Sequence, residues 1–152
     1  MNLLWLIGLF DILLFAGMAV LLAPLKPGIL ALQCSFTRKS FGAVLAAWSE
    51  AGLRRYRAHL PVDCVFLLGY AAFGHLWAGQ ATLPAWAAAW APWALPAAAT
   101  FDALENLLHL RLARRGVSAA PGWYAFTGTC SALKWVLVLV FAGLVPVAVW
   151  GR

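Results

Sequence analysis

The sequence predicts an all-α, polytopic membrane protein, a four-transmembrane-helix bundle with an interfacial amphipathic helix on its cytoplasmic side. Three observations predict it. Hydrophobic residues make up 64% of the 152-residue chain, and charged residues only 11%. A soluble domain carries about a quarter charged residues. Four apolar stretches approach the roughly 20 residues that a spanning helix needs. The basic residues cluster between those stretches rather than within them. A soluble globular domain, a disordered tail and a nucleic-acid-binding module are all excluded by this composition. The whole chain reads as a single membrane domain.

The first span is expected at about 3–23 and carries one charge, Asp11. It has no Lys or Arg ahead of its apolar run, and that run exceeds the roughly 7–15 residues of a signal-peptide core, so it reads as a retained helix. The second span, about 60–79, carries Asp63 near its start. The third, about 84–110, is rich in Ala and Trp and carries Asp102 and Glu105. The fourth, about 124–149, carries only Lys134. Helices are required throughout because hydrocarbon offers no partner to an open backbone.

Between the first two spans, Phe41, Val44, Leu45, Trp48 and Ala51 recur with helical spacing. Lys39, Glu50, Arg54 and Arg57 supply the polar complement, although Leu53 and Arg55 break the pattern. An amphipathic helix over about 38–57 follows, capped by Ser40 or Thr37 and drawn to anionic headgroups. Lys26-Pro27-Gly28 separates it from the first span.

Nine of the eleven Lys and Arg residues lie in two connecting segments. Lys26, Arg38, Lys39, Arg54, Arg55 and Arg57 precede the second span, and Arg111, Arg114 and Arg115 follow the third. Positive residues stay inside, so both segments are expected in the cytoplasm of a bacterial inner membrane, with both termini on the periplasmic side. Trp5, Trp77, Trp86, Trp90, Trp93 and Trp150 then fall toward the outer interface, as anchors rather than a ligand box. Cys34, Cys64 and Cys130 form no C-x-x-C pair and read as buried thiols acting as small hydrophobes. No Gly-rich phosphate loop, H-E-x-x-H or G-x-S-x-G occurs, and no internal repeat is evident.

The acids carry the functional signal. Asp11, Asp63, Asp102 and Glu105 lie inside apolar runs, as does Lys134. A charge at mid-bilayer costs at least ~2.5–3.5 kcal/mol, so such groups face the bundle interior and meet partners. At about 1.5 Å per residue, Asp11 lies roughly 18 Å and Lys134 roughly 16 Å from the cytoplasmic ends of their helices. Asp102 lies roughly 12 Å in, Glu105 roughly 8 Å and Asp63 roughly 5 Å. Asp102, Glu105, Asn106 and His109 read D-x-x-E-N-x-x-H, a spacing that places them on one helical face. Pro96, shortly before them, frees a backbone carbonyl. Tyr70, at a depth of roughly 15 Å, is placed to reach the same region.

The runs Leu45-Ala46-Ala47-Trp48, Pro61-Val62-Asp63-Cys64, Phe101-Asp102-Ala103-Leu104-Glu105-Asn106 and Leu133-Lys134-Trp135 together resemble a widespread group of small, uncharacterised bacterial four-helix inner-membrane proteins. In that group an aspartate opens helix two, Asp-x-x-Glu-Asn ends helix three and a lysine sits in helix four. The resemblance runs from Gly28 onward and implies a shared polar cluster, without an activity. Gln33 stands where the group's pattern has an acid.

Four acids facing one lysine define three competing functions. The first is binding of a lipid-like or small amphipathic molecule by Asp63, Tyr70, Asp102, Glu105, Asn106 and Lys134, with Asp11 and His109 as further candidates. Were a reaction involved, Asp102, Glu105 and Lys134 are the catalytic candidates, with a carboxyl as general acid or base. The second is a structural or accessory subunit, the cluster serving as a packing network and the Trp and Ala surface from Trp86 to Trp93 meeting a partner or lipid. The third is proton or metal-ion handling, which ranks last because Lys134 competes for the carboxylates. Expected partners are membrane lipids and a membrane protein or second copy, and no nucleic acid. No cofactor or metal is assigned from the sequence.

Overall fold

The computed structural model describes residues 2–115 and 119–150. Arg152, counted above among the basic residues, lies outside them. Every regular element among the described residues is a helix: α1 (Leu3–Leu22), α2 (Ile29–Gln33), α3 (Arg38–Ala47), α4 (Glu50–Gln80), α5 (Ala85–Ala88), α6 (Ala91–Arg115) and α7 (Pro121–Trp150). The helices α1, α4 and α7 are long and apolar enough to cross a membrane.

The long helices alternate in direction and stand in a row, α1 on α4, α4 on α6 and α6 on α7. Contacts between residues fix the order. Gly8 meets Phe73, Asp11 meets Gly69, and the rings of Phe15 and Phe66 lie 6.0 Å apart, so α1 and α4 run antiparallel. Leu4, Asp11 and Met18 are the buried residues of α1, spaced by sevens. One narrow stripe therefore holds α1 to its neighbour, and most of the remaining surface, including Leu9, Ile12 and Leu13, is exposed. Gly74 lets α6 approach α4 closely, since a Cβ there would lie 2.6 Å from Leu95 Cβ. At the Trp-rich end, Ala87, Ala91, Ala94 and Ala98 pack with Leu95, Phe141 and Leu144. The Trp and Ala surface expected from Trp86 to Trp93 is thus divided between core and exposed face. Ala87, Ala91 and Ala94 turn into the core, Trp86, Ala88, Ala89 and Trp93 are exposed, and Trp77 packs on Phe141 with ring centroids 5.2 Å apart.

The expected amphipathic helix over about 38–57 is two elements. The helix α3 stops at Trp48, whose backbone is extended, and Ser49 then caps α4 by accepting from Gly52 N–H at 3.2 Å. Glu50 in the first turn favours the new start. With 31 residues, α4 is about 46 Å long, well beyond a hydrocarbon core of about 30 Å. Its first turns carry Arg54, Arg55 and Arg57 past the apolar zone, which is why the sequence pattern begins only at Leu60. Thr37 caps α3 and forms a reciprocal capping box with Ser40. The apolar face of α3 is covered by protein: Phe41, Val44 and Trp48 are buried with Leu32, Tyr56, Leu112 and Tyr124. Trp48 Nε1 donates to Pro27 O at 2.7 Å, and Phe36 fills the space over Gly128 of α7. Residues 25–48 therefore form a packed floor across the basic end of the bundle.

Pro61, Pro96 and Pro146 all sit inside helices. The carbonyl that Pro96 leaves without a helical donor is that of Pro92. His75 Nδ1 lies 3.0 Å from it, and since a carbonyl only accepts, that nitrogen carries the proton. The freed carbonyl is thus satisfied across the α4–α6 interface. The cysteines divide: Cys130 is buried, whereas Cys34 and Cys64 are exposed, which corrects the expectation of three buried thiols.

Candidate functional site

The row of helices leaves α1 and α7 as its two ends. Between them, above the α2 floor, lies a cleft of about 700 Å³. One wall is apolar and comes from Phe15, Met18, Ala19 and Leu22 of α1. Its facing wall is polar and comes from three helices.

On α4, Tyr56, His59, Asp63 and Tyr70 share a face because their spacings are three, four and seven. On α6, Asp102, Glu105, Asn106 and His109 do the same. The antiparallel register pairs them. Tyr70 Oη donates to Asp102 Oδ2 at 3.5 Å, and Asn106 Nδ2 donates to Asp63 Oδ2. From α7, Lys134 Nζ reaches between two acids, at 2.8 Å from Asp102 Oδ1 and 2.7 Å from Glu105 Oε2. Lys134 is 4% exposed and Glu105 1%, so these charges meet away from water.

The sequence-predicted residues Asp63, Tyr70, Asp102, Glu105, Asn106, His109 and Lys134 all border this one cleft. Asp11 does not. It is buried on α1 against Gly69, where the two backbones close and seal it into the helix contact. Its height matches expectation, beside Tyr70 and hence level with Asp102 and Lys134, but its position is lateral to the site.

Two residues join the site that sequence reasoning passed over. Neither Tyr56 nor His59 was singled out. Both are buried and line the cleft. The signal was present in the seven-residue steps Tyr56, Asp63 and Tyr70, with His59 four before Asp63. His59 Nδ1 donates to Tyr56 O within the helix, which fixes its ring. Gln33 and Trp135, also at the cleft, join α2 to α7, Trp135 Nε1 donating to Gln33 Oε1 at 3.3 Å.

The polar wall is not internally satisfied. Glu105 Oε1 is buried with no hydrogen-bond partner, and His109 Nδ1, at 3.7 Å, is beyond bonding distance from it. His109 Nε2 and Tyr56 Oη are likewise buried and unpartnered. Buried polar groups normally find partners, so this concentration sets the cleft wall apart from the rest of the interior. No group of three or more His, Cys, Asp or Glu with metal-holding geometry occurs among the described residues.

Neither protein-family models, nor curated proteins, nor solved structures show a match to this chain.

Proposed function

We propose that this is a four-span protein of the bacterial inner membrane whose cleft binds a lipid-like or small amphipathic molecule. One observation carries the reading: a cleft of about 700 Å³ with a charged wall, an aliphatic wall and unpartnered buried polar atoms. A ligand pocket is typically about 300–1,000 Å³, largely apolar, with a few convergent polar groups. The polar part of the molecule lies against α4, α6 and α7, and its apolar part runs along α1.

The fourth span on this reading is α6, whose 25 residues reach about 38 Å. Its acids Asp102 and Glu105 are buried against Lys134, which supports their facing the bundle rather than lipid. The basic residues of the floor, of early α4 and of late α6 orient that end toward the cytoplasm. The cleft then lies in the inner half of the bilayer. A second reading is favoured by one observation. Lys134 pins α7 to α6 through two acids, as a packing network in an accessory subunit would.

Native mass spectrometry of gently solubilised protein separates the two. The wild type is expected to carry a defined extra mass that a folded Glu105→Gln, Lys134→Met double variant lacks. If both fly bare, or with the same mixed lipids, the binding reading fails and the packing reading stands.

A further inference from the structure

We infer that the polar group taken by the cleft is a primary ammonium, so that the ligand is a long-chain amine or an amine-headed lipid. The inference rests on the amphiphile-binding reading and deepens it.

Three carboxyls, Asp63, Asp102 and Glu105, border the cleft against one buried cation, Lys134. Both oxygens of Asp102 are engaged, by Lys134 and Tyr70. Asp63 Oδ2 is engaged by Asn106, and Glu105 Oε2 by Lys134. Asp63 accepts from Asn106 alone among the described residues, and Glu105, near the Ser131 hydroxyl, has its Oε1 buried with no hydrogen-bond partner. His109 Nε2 and Tyr56 Oη, both beside the cleft, are buried without partners as well. His109 and Tyr56 are each 2% exposed.

An anionic head fits badly here. The ammonium of Lys134 is already held between Asp102 and Glu105, and a phosphate or carboxylate would stand against the free edges of two acids. Lys26 lines the cleft but is exposed. A quaternary ammonium brings no N–H to the vacant oxygens. A primary ammonium brings three donors and one positive charge. It adds a second positive charge where three carboxyls share the single lysine, and paired charge is the condition for holding ions in a low-dielectric site. The chain attached to it then follows Phe15, Met18 and Leu22 toward lipid.

The test offers the wild type an equimolar mixture of dodecylamine, dodecanol, dodecanoate and dodecyl phosphate, and reads the adducts by native mass spectrometry. The dodecylamine adduct is expected to exceed each of the others by about tenfold, the scale of one charge-assisted hydrogen bond. Glu105→Gln and, separately, Asp63→Asn are each expected to lower it by a similar factor. Asp63→Asn keeps side-chain shape at a half-buried position and so covers the case in which Glu105→Gln does not fold. Dodecanol binding as well as dodecylamine, or either anion binding better, overturns the ammonium assignment and leaves the amphiphile reading in place. An amine adduct unchanged in both variants overturns it too, as surface adsorption. No adduct of any of the four on the wild type removes both readings together.

Discussion

Lys134→Met alone is expected to be the most damaging single substitution in the chain. It removes the one buried Lys or Arg among the described residues and strands Asp102 and Glu105, whose oxygens lie 2.8 Å and 2.7 Å from Nζ. An ordinary interhelical hydrogen bond in a membrane averages only about 0.6 kcal/mol, because the unfolded helices also find partners. That figure describes neutral groups. Breaking a buried ion pair from one side leaves uncompensated charge and costs about 3–5 kcal/mol. The second effect dominates here, since Glu105 is 1% exposed. Adding Asp102→Asn and Glu105→Gln to Lys134→Met removes the stranded charge and is expected to recover most of the loss. Reversible unfolding in mixed detergent micelles, following helix content against denaturing-detergent fraction, measures both. A Lys134→Met protein as stable as the wild type would show that the three side chains do not hold one another's charge.

Gly74→Ala is expected to give the next largest effect for its size. A Cβ at Gly74 would sit 2.6 Å from Leu95 Cβ and 2.7 Å from its Cγ. A Cβ is fixed to the backbone, so the clash cannot be relieved by turning the end of a side chain, and α6 has to move off α4. Overpacking of this kind costs about 1–3 kcal/mol. Gly79→Ala, on the same helix, is the internal control. A Cβ there meets nothing within 4 Å, so it is expected to be neutral or to gain up to about 1 kcal/mol of helix propensity. The same unfolding titration reads the pair. Displacing α6 also draws Asp102 from Tyr70 and Asn106 from Asp63, so Gly74→Ala is expected to widen the cleft as well as to loosen the bundle.

Much of this was legible in the sequence because the membrane enforces simple rules. Apolar length located α1, α4, α6 and α7, and the cost of a buried charge indicated that Asp63, Asp102, Glu105 and Lys134 meet. The D-x-x-E-N-x-x-H run gave the face of α6 directly. What remained illegible depended on tertiary packing. Hydropathy alone began α4 at Leu60, since Arg54, Arg55 and Arg57 conceal ten further residues of the same helix. Ser49 and Glu50 are a capping signal, yet the stripe from Phe41 to Ala51 outweighed it. That stripe looked made for lipid, but Phe41 and Val44 are buried on Leu112 and Tyr124. Depth fixed the height of Asp11, but Gly69 opposite it, which has no side chain to hold the helices apart, decides that it is sealed beside the cleft. Tyr56 and His59 were missed because basic residues around them suggested an aqueous segment.

The central claim is that the space between α1 and α7 is an amphiphile site rather than a seam in the bundle. The most direct measurement is photolabelling in the membrane with a lipid bearing a diazirine on its acyl chain, followed by peptide mapping. The account predicts labels concentrated on Phe15, Met18, Leu22 and Leu30, which line the cleft, above those on Leu9, Leu13 and Leu139, which are equally apolar and exposed elsewhere. It further predicts that excess dodecylamine removes the first set and leaves the second. Labels spread evenly over both sets, and insensitive to the competitor, would contradict it.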